Sequence, residues 1–416
     1  MKGVVLRALH AVDWDFATPR SGYVAPPHWY PGTFVPALSD ALVEALSPPG
    51  GTVFDPYGGV GTTGWSAIRT GRSCEVTDIN PVALLVAFAT TSLLALVRTY
   101  PDGAKNALGA LSRTIGRNDD LFGTGEPVAG RGHLDELVEG VCSPAPETLL
   151  THLIVGPPQW SLLKEWIAPE TISDLAALFD NIMGSNSAYL RVLGLCMLSA
   201  TARSVSSQHA SWGHIADNVR PRKMAPQSVY AATTRWLKRT KAFTAWPMTP
   251  LAAEMSITPI PAIHFRDWSV ENELGPGNAD LLLTSPPYAD AIDYTLAQRL
   301  SLYLLGYDEN AISRLVSGEI GARRKRFKSV SRTDWSEQLC TALKNQISWL
   351  KPDAAICLVL PHKDSGRSAG EVDLKTTLQA LGWQLVFERD RSIHQSHTRQ
   401  SWTSIKKETI LAFARG

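Results

Sequence analysis

Ser285-Pro286-Pro287-Tyr288 follows the apolar run Leu281-Leu282-Leu283-Thr284 and brings together side chains suited to work on a nitrogen. The lone pair of an exocyclic amine is conjugated into its ring, which makes the nitrogen a poor nucleophile. An oxygen accepting one N–H and a backbone carbonyl accepting the other favour a less planar, more reactive nitrogen. Ser285 and the Pro286 carbonyl form such a pair. Pro286 and Pro287 stiffen the loop that holds them, and Tyr288 offers a ring on which a base can stack. Alignment of reacting groups lowers a barrier by several kcal/mol, up to about 7–11 in the strongest intramolecular cases. Such chemistry requires no metal and no covalent nucleophile.

A second stretch, 230 residues upstream, has the make-up of a ligand-binding turn. The short apolar strand Thr52-Val53-Phe54 ends in Asp55-Pro56-Tyr57-Gly58-Gly59-Val60-Gly61-Thr62-Thr63, and the spacing predicts a helix from Thr62 through Arg69. A strand, a glycine turn and a helix N-terminus bring backbone N–H groups close to a small charged ligand. Taken alone, the turn suits a dinucleotide, a nucleotide-like methyl donor, or no ligand at all. A second strand, Ser73 to Thr77, ends at Asp78-Ile79-Asn80-Pro81. An acid there is placed to accept hydrogen bonds from a ribose diol, although Asp78 or Asn80 could equally cap the helix that Pro81 opens.

These residues need a sheet to position them. Helical spacing covers Pro36 to Leu46 and Val82 to Leu96, and strands are expected at Ile263–Phe265, Ala279–Leu283, Ala354–Leu360, Trp383–Glu388 and Glu408–Ala414. Helices are expected from Asp293 to Leu305, over 333–350 and from Leu374 to Leu381. Residues 1–25 read as an irregular arm or an edge strand. The expected fold is α/β, a three-layer Rossmann-like sheet with helices on both faces. Residues 99–255 break the alternation and read as a mainly helical insertion, with helical patterns over 131–140, 160–183 and 187–203. The division is then 1–98 for the arm and the cofactor-binding half, 99–255 for the insertion and 256–416 for the catalytic half. Val155-Gly156-Pro157-Pro158-Gln159-Trp160 is a weak echo of the Ser285 motif and reads as a loop.

Composition narrows the classes further. With 40 basic and 39 acidic side chains the net charge is +1, so a polyanion would be met by local patches. The candidate patches are Arg220, Arg222 and Lys223, then Arg235, Lys238, Arg239 and Lys241 among Trp236, Phe243 and Trp246, and the run Arg323-Arg324-Lys325-Arg326-Phe327-Lys328. Each is also consistent with a solvated surface. Cys74, Cys142, Cys196, Cys340 and Cys357 have no paired metal-ligand spacing and read as ordinary thiols of a reducing compartment. No leader pattern opens the chain and no uncharged apolar run of 18 residues is read in it, so a cytoplasmic protein without a membrane span is expected.

Together the two motifs resemble the S-adenosylmethionine-dependent amino-methylating DNA methyltransferases, which act on cytosine N4 or adenine N6. Their Asp-Pro-Phe-X-Gly-X-Gly-Thr-Thr motif is matched by Asp55 to Thr63, with Tyr57 in place of the usual Phe and Gly58 where Cys is frequent. Their Asp, Asn or Ser before Pro-Pro-Tyr or Pro-Pro-Phe is matched by Ser285 to Tyr288. The resemblance covers about 27–95 and 260–414, in the order of the subclass that carries its target-recognition region between the two motifs. It implies a cofactor site made by Tyr30, Thr33 and Phe34 of the N-terminal loop, by Asp55, Pro56, Tyr57, Gly59, Gly61, Thr62 and Thr63, by Asp78 and Ile79, and by Asp267 and Trp268. In the family the first motif wraps the methionine part of S-adenosylmethionine, the acid after strand two holds the ribose and the acid after strand three meets the adenine. It implies catalysis by Ser285, Pro286, Pro287 and Tyr288, no metal, and DNA as the partner, with a base flipped from a duplex and a cognate nuclease or other defence protein alongside. Serine before the prolines resembles the cytosine-N4 group more than the adenine-N6 group. RNA as the substrate, or a non-catalytic nucleic-acid-binding protein on the same fold, is the alternative.

Overall fold

The computed structural model describes residues 9–16, 25–31, 33, 35–100, 102–116, 132–208, 224–250, 252, 260–267, 277–288, 293–321, 332–363, 369–392 and 405–416. Seven strands form one sheet: β1 (Thr52–Asp55), β2 (Ser73–Asp78), β3 (Pro261–Phe265), β4 (Ala279–Thr284), β5 (Leu350–Lys363), β6 (Trp383–Ser392) and β7 (Ile405–Arg415). Their order is β3-β2-β1-β4-β5-β7-β6. All neighbours are parallel except β7, which runs antiparallel to both β5 and β6. This is a Rossmann-like α/β arrangement with helices on both faces.

Side-chain alternation along the central strands explains why helices cover both faces. Val53, Leu281, Leu283, Cys357, Val359, Ile410 and Ala412 enter one apolar cluster, while Phe54, Leu282, Ile356, Leu358, Leu411 and Phe413 enter another. Successive residues of a strand point to opposite faces, so a strand buried on both sides must be apolar throughout. The first cluster is completed by helices Pro36–Leu46, Thr62–Arg69 and Pro81–Thr99 and by the helices between β2 and β3; the second by Arg332–Ile347 and Ala369–Ala380. Pro81–Thr99 has the length and apolar composition of a membrane span, but its Val82–Leu96 stretch is buried inside the protein.

Between β2 and β3 the described elements are helices: Gly103–Thr114, Gly132–Glu139, Pro146–Leu153, Trp160–Leu163, Pro169–Met183, Ala188–Ser204 and Val229–Thr244. The helical pattern over 160–183 is broken, because Ala168 before Pro169 takes an extended ψ of 143°. The 293–305 pattern is likewise split into Tyr294–Ala297 and Arg299–Leu304 at Gln298. Val155 and Gln159 hydrogen-bond to the carbonyls of Leu305 and Tyr303, so that the Gly156-Pro157-Pro158 stretch is a structural loop against the Arg299–Leu304 helix. The described part of the arm, 9–16, contains no strand. Four of the five cysteines are buried and Cys340 is half-buried; none is paired.

Candidate active site

The chain order of the sheet reverses at β1, whose neighbours are β2 and β4. The C-terminal ends of strands flanking such a switch point leave a crevice. Phe54 lies opposite Leu282, which sets the ends of β1 and β4 side by side. There the Thr284 hydroxyl donates to Asp55 Oδ1 at 2.7 Å, and the Tyr57 N–H donates to the same oxygen at 3.1 Å. Two motifs 230 residues apart thereby share a hydrogen bond. Burial raises the Asp55 carboxyl, opposed by the Thr63 and Thr284 hydroxyls and the Tyr57 amide.

The turn after β1 is built by glycine. Gly58 N–H donates to Thr77 O at 3.0 Å, and a Cβ at position 58 would lie 2.0 Å from Val76 Cγ1, so β2 packs against bare backbone. Gly59 and Gly61 hold φ of 52° and 88°, left-handed values costly for other residues. Gly59 N–H donates to Asp78 Oδ2 at 3.0 Å, and Asn80 N–H donates to Asp78 Oδ1 at 2.8 Å. Asp78 therefore ties the turn to the end of β2, while Asn80 caps the next helix through Val82 N–H at 3.0 Å. Burial pushes the Asp78 carboxyl up to about 6, against the pull of the Asn80, Gly59 and Ile79 amides.

A cleft of about 890 Å³, counted with its open mouth, lies over these strand ends. Of the residues singled out in the sequence, Tyr30, Thr33, Asp55, Pro56, Tyr57, Gly59, Thr62, Asp78, Ile79, Asp267, Ser285 and Pro287 line it. Gly61, Thr63, Pro286 and Tyr288 lie behind that lining: Gly61 packs on Ala87, Thr63 and Pro286 are buried, and the Tyr288 hydroxyl meets the Ser285 hydroxyl at 2.8 Å. Pro287 O accepts from Trp335 Nε1 at 3.0 Å, which pins the Ser285–Tyr288 loop to helix Arg332–Ile347. Phe34, Trp268, and the basic groups Arg220, Arg222, Lys223 and 323–328 fall outside the described residues.

The N-terminal loop reaches the cleft because helix Ala188–Ser204, which precedes β3, and the Gln298 junction after β4 hold it. His28 Nε2 meets Ser199 Oγ at 2.7 Å, Arg203 lies 3.6 Å above the Trp29 ring, and Gln298 donates to Trp29 O at 3.2 Å. Burial lowers the His28 imidazole to about 4, so it is a neutral anchor. The Tyr30 ring then stacks on Tyr294 with centroids 6.2 Å apart and planes 21° apart.

Asn80, Arg266, Tyr294, Gly318, Glu319 and Ile320 line the cleft without having been singled out as site residues. Asn80 had a cap signal, but Gly318-Glu319-Ile320 belongs to no motif. A Cβ at Gly318 would meet Ile79 at 2.6 Å and stand 3.5 Å from Asp267 Oδ2, so bare backbone closes over both. Glu319 is buried, accepting from Thr295 N–H at 2.6 Å and Thr295 Oγ1 at 2.5 Å. Burial pushes its carboxyl up to about 8 despite those two bonds, with Asp293 and Asp78 adding to the rise. The cleft thus gathers Asp55, Asp78, Asp267 and Glu319 with Arg266, beside aromatic rings of Tyr30, Tyr57 and Tyr294. That lining suits a flat nucleoside joined to a cationic group.

Residues 14–88 match a family model for N6 and N4 methyltransferases, described as DNA methylase. The chain is similar to the N4/N6 amino-methyltransferases. The matched segment contains the N-terminal loop, the glycine turn and the Asp78 corner. Among solved structures, a protein called TrmN from Thermus thermophilus aligns at 10% identity and TM-score 0.31, over 93% of this chain and 50% of its own, so this chain spans half its length. The rRNA methyltransferase aviRa from Streptomyces viridochromogenes aligns at 12% identity and TM-score 0.32, over 98% of this chain and 94% of its own. No curated protein matches the chain.

Proposed function

We propose that this protein is an S-adenosylmethionine-dependent DNA methyltransferase acting on an exocyclic amine, cytosine N4 first and adenine N6 second. The observation that carries the reading is the Thr284–Asp55 hydrogen bond, which sets the Ser285 loop and the glycine turn on the wall of one cleft. The cleft fits the cofactor on three counts: a glycine-built turn that leaves backbone bare at position 59, an acid at the end of β2, and an excess of carboxylates for a cationic ligand. Tyr30, Thr33, Phe34, Asp55 to Thr63, Asp78, Ile79, Asp267 and Trp268 would hold it. S-adenosylmethionine supplies an electrophilic methyl group on a sulfonium.

The chain's own part is positioning. Ser285 Oγ and the Pro286 carbonyl accept the two N–H bonds of the target amine, and the proline pair keeps both acceptors fixed. Tyr30 and Tyr294 present the rings at the cleft, while Tyr288 stands behind Ser285. In a duplex the target base must leave the stack to enter. We assign target recognition to the helical region 99–255, with basic groups of Val229–Thr244 such as Arg235, Lys238 and Arg239 exposed to meet phosphates. A cognate nuclease or another defence protein is the expected companion.

The test is mass spectrometry of nucleosides from plasmid DNA and total RNA of methylation-free cells expressing the protein, beside cells expressing Ser285→Ala. N4-methylcytosine or N6-methyladenine in DNA, lost with the variant, is the expected result. A mark in RNA alone would move the substrate to RNA, and the same mark in both strains would overturn the role of Ser285. Calorimetry with S-adenosylmethionine should show Asp78→Ala binding at least about tenfold more weakly, the loss of one charge-assisted hydrogen bond, and Ser285→Ala binding as wild type.

A further inference from the structure

Behind the cleft a line of hydrogen bonds leads from the catalytic loop to the last strand pair. Ser285 Oγ and the Tyr288 hydroxyl are 2.8 Å apart, the Tyr288 hydroxyl and Glu408 Oε1 are 3.3 Å apart, and Glu408 Oε2 is paired with Arg391 Nη1. Arg391 is buried, and its Nε donates to Trp14 O at 2.9 Å. Arg391 and Glu408 face each other across β6 and β7. None of Tyr288, Glu408 and Arg391 lines the cleft, and only Ser285 reaches it.

The directions of these bonds follow from the groups at the end of the line. A guanidinium only donates and a carboxylate only accepts. Glu408, held on one oxygen by Arg391, must therefore receive the Tyr288 proton on the other. Tyr288, its single hydrogen spent, accepts from Ser285. Ser285 then has no hydrogen left for the cleft and shows it lone pairs alone.

We infer that Tyr288 and Glu408 are positioning residues that make Ser285 an acceptor-only hydroxyl, selecting bases that offer N–H and rejecting bases that present a carbonyl oxygen at the same place. The inference rests on the proposed amino-methyltransferase reading and extends it to how the target is chosen. A serine free to rotate would bind a carbonyl of thymine or uracil as readily as an amine. With its hydrogen committed, a carbonyl in that place faces two lone pairs and is left unpaired. A site that leaves a buried polar group unpaired discriminates strongly against the ligand responsible.

Glu408→Gln tests the direction of the line. Arg391 continues to donate to the amide oxygen, which turns the amide NH₂ toward Tyr288. Tyr288 must then accept there and donate to Ser285, which pushes the serine hydrogen into the cleft. Tyr288→Phe removes the middle of the line and frees the serine. Both variants should bind S-adenosylmethionine in calorimetry as the wild type does. Both should methylate plasmid DNA at least about tenfold more slowly, in kcat rather than in KM for the cofactor. In protein labelled with [13Cζ]tyrosine, and with the resonance assigned by its loss in Tyr288→Phe, the Tyr288 signal should move in Glu408→Gln and in Ser285→Ala. Wild-type turnover by Glu408→Gln, or a Tyr288 resonance indifferent to it, overturns the inference. Absence of cofactor binding by the wild type would instead refute the proposed function, and the tyrosine resonance would still decide the order of hydrogen bonds.

Discussion

Glu319→Gln should change how the stability of the ligand-free protein depends on pH. In the folded protein the Glu319 carboxyl is raised from its ordinary 4.5 to about 8, chiefly by burial. The folded state then holds a proton that the unfolded state releases, so stability falls as pH rises from about 4.5 through about 8. At pH 7 the interval above 4.5 corresponds to about 3 kcal/mol at ~1.4 kcal/mol per pH unit. For 416 residues, with an unfolding entropy of roughly 2 cal/mol/K per residue, that is about 4 °C in the melting temperature. The amide keeps an oxygen for the two Thr295 bonds and has nothing to titrate. Melting curves of both proteins from pH 5 to pH 8 should therefore diverge, with the wild type falling about 4 °C further toward the alkaline end. A constant offset between them is immaterial because the comparison is of slopes. Parallel curves would refute the buried, proton-holding carboxyl. Saturating S-adenosylmethionine should reduce the divergence if its positive charge lies near Glu319.

Two further variants address the frame of the site. Gly58→Ala places a methyl 2.0 Å from Val76 Cγ1 and should cost about 1–3 kcal/mol in urea denaturation; an unchanged midpoint would mean that β2 yields freely. Thr284→Val preserves shape but removes one donor to the buried Asp55 carboxylate, which should cost about 1–3 kcal/mol and weaken cofactor binding; wild-type values for both would detach the two motifs energetically.

Much of the frame was legible because it depends on near neighbours in the chain. The turn from Asp55 to Thr63 is dictated by positive φ at Gly59 and Gly61, and the helix after it begins at Thr62 as its spacing predicts. β4 and the middle of β5 read as apolar runs because both faces of the sheet are covered there. Boundaries fared less well: Ala168 before Pro169 interrupts a continuous apolar period, and Gly103–Thr114, Pro146–Leu153 and Glu309–Gly318 are helices that the expected set omits.

The sequence by itself determined which residues could bind a nucleoside or orient an amine, since a glycine forced to positive φ or a serine before two prolines acts through its own chemistry. Only the tertiary structure decided which of them share a space. Asp55 and Thr284 meet because β1 and β4 are neighbours at the point where strand order reverses, and Tyr30 reaches the cleft because Ser199, Arg203 and Gln298 hold its loop. Glu319 has no local signature at all. Its role at the cleft arises from burial beside Thr295, Asp293 and Asp78, a property of packing over long chain separations that composition and periodicity do not encode. The same is true of Glu408 behind Ser285, 120 residues from the tyrosine whose hydrogen it takes.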